Sequence, residues 1–287
     1  MTDTAPKRTI YSLTWIYRVD PAFHRLSEAE QVLGKSSFLA ALEARDASVT
    51  LRGVYSLIGF RAEADLMLWV WGEDLDALQA LAVALRQSGL GRYLNQVAAY
   101  VGVVSMPRYD PEHGPAFTTG VPPKRYVSIY PFVKTTEWYQ LPYEERREIM
   151  KEHGEVGRHY AVPRAKVAEL ARAAREGATH TDAGRAARGD AIVQAAIAST
   201  RGGKSAPAPA NREADEAEVG GGVLSNTVDS FALSDYEFIL ANESDDPDEL
   251  KAMMLALRAV KARVYTRSDT PFYFGRLRTP EEALTAL

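Results

Sequence analysis

The chain has 287 residues, 46% of them hydrophobic, a formal net charge of -4 and no cysteine. That supplies a sizeable core in one large domain or two, and the acidic balance argues against a general nucleic-acid footprint. The missing thiols exclude disulfides, thiolate nucleophiles, zinc-thiolate sites and iron-sulfur clusters.

The opening residues MTDTAPKRTI lack the apolar run of a signal peptide, and the most apolar stretch, Leu66 to Trp71, is too short to span a bilayer. A cytoplasmic location away from the membrane is therefore expected. Arg8 to Val19 reads as a strand. Ser27 to Arg45 reads as a helix, with Ser27 as N-cap and Glu30 placed to complete a capping box. Val49 to Phe60 and Asp65 to Trp71 read as a hairpin, Asp74 caps a helix through Arg86, and Ala98 to Val104 reads as a closing strand. Residues 106–123 form a connector that carries His113, and a loop histidine by itself is usually uncommitted.

From Tyr126 to Val133 the alternation puts Val127, Ile129 and Val133 on one side and Tyr126, Ser128, Tyr130 and Phe132 on the other, which predicts a strand. Pro131 removes one ladder donor there, so the strand is expected at an edge, an end or a bulge. A helix follows from Pro142, with Glu144 and Glu145 at its positive end and Gly154 placed as its stop. Arg146, Ile149 or Met150, and His153 then share one face, with His153 in the last turn. Singly, a helix-end histidine, a strand tyrosine and a strand-end lysine such as Lys134 are ordinary structural residues. Their combination is what points to a site.

The strand, helix, two strands, helix, strand order recurs after residue 126. DLDALQALAVALR at 74–86 lies over DPDELKAMMLALR at 246–258, and each is preceded by a strand, DLMLWVW from Asp65 and EFILANE from Glu237. Matched helices with matched flanking strands indicate duplication. The expected fold class is α+β: two ferredoxin-like halves, each an antiparallel sheet covered on one face by helices, with the other faces packed together as in a dimeric α+β barrel. The halves are assigned to residues 1–120, connector included, and 121–287.

The second half is interrupted by an insertion at 161–222, expected to be flexible. Val167 to Arg175 and Ala191 to Ser199 suit short helices, and SAPAPANREADEAEVGGG has the composition of a linker. GGKS at 202–205 fails as a phosphate loop, because Ala198 replaces the required first glycine and no helix follows. His24, His159 and His180 have no metal-ligand spacing, and there is neither a His-Glu-x-x-His helix nor a Gly-x-Ser-x-Gly elbow.

YPFVKTTEWYQLPYEERREIMKEHGEVGR from Tyr130, NTVDSFALSDYEFIL from Asn226 and PFYFGR from Pro271 together resemble the chlorite dismutase family, in particular its actinobacterial coproheme decarboxylase branch. The resemblance spans most of the chain outside the insertion. It implies that His153 is the proximal iron ligand, Tyr130 the redox tyrosine, Lys134 a basic partner for a substrate propionate and His113 the distal base. It further implies peroxide-dependent decarboxylation of two propionates of Fe-coproporphyrin III, coproheme, which is both substrate and redox cofactor, to give haem b with no other metal. A homopentamer and a transient contact with coproporphyrin ferrochelatase are implied too. The competing expectations are a haem peroxidase or chlorite dismutase, and a haem carrier or sensor. Ser225-Asn226-Thr227-Val228 stands where a chlorite dismutase has its distal arginine, and Lys261 where many relatives carry an acid. If that acid supports the proximal histidine, His153 is a less basic ligand here.

Overall fold

A computed structural model describes residues 9–104, 114–179 and 221–287. The first half runs β1 (Ile10–Val19), α1 (Glu28–Glu43), β2 (Val49–Ser56), β3 (Leu66–Gly72), α2 (Leu75–Gln87) and β4 (Leu94–Val104). The second runs β5 (Tyr126–Lys134), a short α3 (Thr136–Gln140), α4 (Tyr143–Tyr160), α5 (Arg164–Thr179), β6 (Leu224–Asp229), β7 (Phe238–Ser244), α6 (Pro247–Ala259), β8 (Thr266–Ser268), β9 (Tyr273–Arg278) and α7 (Pro280–Thr285).

Within the halves the strand orders are β4-β1-β3-β2 and β9-β5-β7-β6, the same ferredoxin-like order twice, and every pairing is antiparallel. The two sheets are also joined at both edges, by β2 with β9 from Val54↔Arg278 to Ser56↔Arg276 and by β4 with β6 at Val103↔Asp229. The result is a closed circuit of eight strands, with β8 hanging off β5. Closure leaves no long unpaired edge in the circuit.

Inward-facing residues of both halves form one core, including Ile16, Tyr55, Met67, Trp69 and Tyr100 from the first and Val127, Ile129, Val228, Ala241 and Tyr273 from the second. Across it runs a buried ion pair. Arg52, on β2 where the register shifts between Leu51 and Gly53, donates from Nη2 to Glu243 Oε1 of β7 at 2.8 Å. Asn226 Nδ2 also donates to that carboxylate at 3.1 Å, the Lys124 backbone N–H donates to its other oxygen at 3.1 Å, and Arg52 Nη1 donates to the Val121 carbonyl. The Phe117 backbone N–H donates to Asn226 Oδ1 at 2.9 Å, so this network also ties down the connector. Shape and charge here are over-determined, as a buried pair requires.

The local start signals operate as the sequence suggests. Ser27 and Glu30 form a reciprocal capping box, while Asp74 and Asp246 cap the two sibling helices through their carboxylates. One expectation is corrected. Gly154 does not stop α4: the only glycines with positive φ among the described residues are Gly59 and Gly120, and the helical bonding runs on to Ala161 N–H→Gly157 C=O at 3.1 Å. A glycine ends a helix when it turns left-handed; here the chain leaves at Ala161, two residues before Pro163. The helix that Val167 to Arg175 suit is present within the longer α5, where Val167, Leu170 and Ala171 share a face and pack on Ala116, Val121 and Leu224. Ala191 to Ser199 and GGKS lie outside the described residues.

Candidate active site

The sheet of the second half presents its outer face to α4 and α6. Across that face Ser128 of β5, Asn242 of β7 and Ser225 of β6 stand side by side in register. Tyr130 follows on β5. It is 3% exposed, and its ring lies 4.4 Å from that of Phe272. Asn242 Nδ2 donates to Tyr130 Oη at 3.4 Å, and Ser225 Oγ donates to Asn242 Oδ1 at 3.0 Å. Since the phenol oxygen accepts from Asn242, its own hydrogen must go elsewhere, and the Met254 sulfur of α6 lies 4.0 Å away. Burial raises the phenol pKa well above its ordinary value, against the Asn242 hydrogen bond, with Asp269 adding to the rise and Arg258 opposing it. Tyr130 is therefore a protonated, fixed phenol at neutral pH.

Asp269 is itself 8% exposed and holds two guanidinium groups, Arg258 Nη2 at 2.8 Å and Arg263 Nη1 at 3.1 Å. Lys134, at the end of β5, sits with its ammonium 4.3 Å from the Trp138 ring centroid and 5.0 Å from that of Phe132. Burial lowers its pKa to about 8, partly offset by Glu237. The cation keeps aromatic faces where water would otherwise be.

His153 lies in the middle of α4, not in its last turn, because the helix continues through Gly154 and Gly157. Burial, and after it the Lys134 charge, lowers the imidazole pKa to about 4, while Glu152 opposes the shift. The ring is neutral at pH 7, the form that can coordinate a metal. Its Nδ1 is buried and has no hydrogen-bond partner. A neutral, half-buried imidazole that serves no structural hydrogen bond through Nδ1 fits an axial iron ligand. Lys261 packs along α4: its Nζ lies 3.5 Å from Glu145 Oε1 and its backbone N–H donates to Glu152 Oε2, next to His153, at 3.2 Å.

Tyr130 and Lys134 share one strand, and the charge of Lys134 acts on His153. His113 lies outside the described residues. Ser225 and Thr227 project from β6 on the exposed side, whereas Asn226 is 1% exposed and points into the barrel network. Sequence reasoning missed Asn242, Met254 and the Asp269 cluster. Asn242 had a signal, being a polar residue at an alternate position of the apolar run FILAN; the others depend on packing between elements distant in sequence.

The chlorite dismutase family model matches residues 25–170 and 215–278. The coproheme decarboxylase of Mycolicibacterium smegmatis is 30% identical over 278 residues, covering 96% of this chain and 94% of that protein. The coproheme decarboxylase of Staphylococcus carnosus is 28% identical over 171 residues, covering 53% of this chain and 68% of that protein. Among solved structures, chlorite dismutase from Candidatus Nitrospira defluvii in complex with imidazole superposes with a TM-score of 0.67 at 19% identity, covering 96% of this chain and 94% of that one. That last likeness speaks for the fold.

Proposed function

Because the chain belongs to the chlorite dismutase family, we propose that it is a coproheme decarboxylase, converting two propionates of Fe-coproporphyrin III to vinyl groups at the expense of hydrogen peroxide. Each propionate loses carbon dioxide, a proton and an electron pair; peroxide accepts the electrons and leaves as water. The observation that carries the reading is the buried phenol of Tyr130, which accepts from Asn242 and donates only weakly to the Met254 sulfur, beside a site whose histidine is neutral and unpaired at Nδ1.

His153 holds the iron of the bound substrate. The coproheme iron supplies oxidising power after reaction with peroxide. Tyr130 gives up its hydroxyl proton and one electron, the phenoxyl so formed takes a hydrogen atom from a propionate carbon, and loss of carbon dioxide from that carbon radical returns the second electron to the oxidised substrate, leaving the vinyl group. Asn242 and Phe272 keep the phenol in one place, so little reorganisation is needed. Lys134 attracts a propionate, because its ammonium has no salt-bridge partner among the described residues within the usual distance while Trp138 and Phe132 flank it. His113 serves as the base that accepts a proton from peroxide. Ser225 and Thr227, rather than an arginine, on the outer face of β6 favour decarboxylation over chlorite cleavage. A homopentamer, a cytoplasmic location and a transient contact with coproporphyrin ferrochelatase belong to the same proposal. Among the described residues no helix is long and apolar enough to cross a membrane.

The test is stepwise addition of hydrogen peroxide to protein loaded with ferric coproporphyrin III, followed by porphyrin mass. Two successive losses of carbon dioxide with hydrogen, ending in haem b, are expected; bleaching without decarboxylation overturns the reading. Tyr130→Phe should bind coproheme and fail to decarboxylate it, and full activity in that variant removes the radical role.

A further inference from the structure

Met254 has no counterpart in the first half. In the matched helices its place in α2 is taken by Ala82, which packs with the apolar layer beneath it. On α6 the neighbouring Met253 is 3% exposed and packs with Val223 and Leu250, but Met254 is half-buried and belongs to none of the apolar clusters among the described residues. Its sulfur instead lies 4.0 Å from the hydroxyl of Tyr130. A thioether is a weak acceptor, so the phenol hydrogen is held only loosely. It is also open to oxidation by hydrogen peroxide.

From this placement we infer that Met254 is a peroxide-sensitive switch on the reaction, an oxidation site whose sulfoxide locks the Tyr130 hydroxyl. The step is an oxygen transfer. A sulfur lone pair attacks one oxygen of hydrogen peroxide, the O–O bond breaks, and the departing hydroxide takes up the remaining proton as water; sulfur is oxidised and peroxide reduced. The sulfoxide oxygen is a strong, dipolar acceptor. With Asn242 already donating to Tyr130 Oη, the hydroxyl hydrogen then bonds to the sulfoxide and is withheld from the substrate. Peroxide in excess thereby turns off the enzyme that consumes it, and reduction of the sulfoxide restores it.

The inference rests on Tyr130 as the redox residue, and its test separates the two claims. The apoprotein is treated with hydrogen peroxide, the excess is destroyed with catalase, and oxygen uptake is located by mass spectrometry of the peptide that contains both Met253 and Met254. Met254 should gain one oxygen several-fold faster than Met253, Met67 or Met150. The treated protein, loaded with coproheme, should lose most of its decarboxylation rate relative to its own untreated sample, keep its coproheme binding spectrum, and recover with methionine sulfoxide reductase. Met254→Leu, measured against its own untreated rate, should lose nothing on the same treatment; Met254→Ala, the residue that α2 uses at this place, substitutes if the leucine variant misfolds. Faster oxidation of another methionine, Met254 sulfoxide with an unchanged rate, or equal inactivation of the variants overturns the switch. Retained decarboxylation in Tyr130→Phe overturns the reading of the reaction instead, and leaves the oxygen uptake of the apoprotein as a separate result.

Discussion

The two halves are built from one plan and use the space between sheet and helices in opposite ways. In the first, the outer face of the sheet is apolar, with Leu13, Trp15 and Tyr17 on β1 and Leu66, Leu68 and Val70 on β3, all packed under Phe38 and Leu42 of α1 and Leu78, Leu81 and Leu85 of α2. In the second, the matching strands carry Ser128 and Tyr130 on β5 and Asn242 on β7, and Ile149 is the only fully buried residue of α4. One interface is an apolar core, and the other holds the buried polar groups where we propose the site. Duplication supplied a scaffold whose stability the first half could keep, freeing the second to hold buried polar groups that a packed layer would reject.

Truncations on the two sides break this comparison most sharply. Phe38→Ala, at 1% exposure, should cost about 3–5 kcal/mol of unfolding free energy and leave coproheme affinity intact at temperatures where the variant is folded. His153→Ala should do the reverse, removing stable coproheme binding while shifting stability by about 1 kcal/mol or less. Denaturant unfolding of the apoproteins alongside coproheme titration measures both, and a matched loss of stability in the two variants contradicts the division of labour. A somewhat smaller effect should follow from Glu243→Gln. It leaves Arg52 charged and buried inside the barrel, at a cost of about 3 kcal/mol, and Arg52→Met in the same chain should recover part of the loss because no charge is then left unpaired. Additive losses in the double variant would mean that the ion pair does not join the halves as described.

Much of this division was legible in the sequence, and the reason lies in how far each signal reaches. Caps are local: Ser27 with Glu30, and Asp74 with Asp246, act within a few residues, so the helix starts could be read directly. Alternation in Tyr126 to Val133 likewise put Tyr130 with Tyr126, Ser128 and Phe132 on the face opposite Val127 and Ile129. The end of α4 could not be read, since Gly154 is compatible with both a left-handed stop and a helical interior, and packing on Val260 and Ala262 through Ile149 and Val156 favours the longer helix. The barrel itself could be expected from the duplication, but the edges that close it could not, because closure rests on short pairings between strands more than a hundred residues apart. Arg52 and Glu243 illustrate the same limit: in sequence they are two unremarkable charges in strands, and only the barrel brings them together.

The last effect expected is a pH dependence that belongs to one half. His153 has an ordinary pKa of 6.5 and a folded-state pKa lowered to about 4 by burial first and the Lys134 charge second. Above pH 6.5 the imidazole is neutral in both states and makes no difference. Between that point and about pH 4 the unfolded chain binds a proton that the folded protein refuses, so stability contributed by this group falls as pH falls through the window, and below it the penalty is constant. Urea midpoints of the apoprotein minus those of His153→Gln isolate this contribution from the carboxylates that titrate at lower pH. The difference should shift against the wild type on acidification, whereas Phe38→Ala should track the wild type at every pH with a constant offset. A flat difference would mean that the imidazole of the folded apoprotein takes up its proton normally, and the second half would then hold its histidine in water rather than in a site prepared to exclude it.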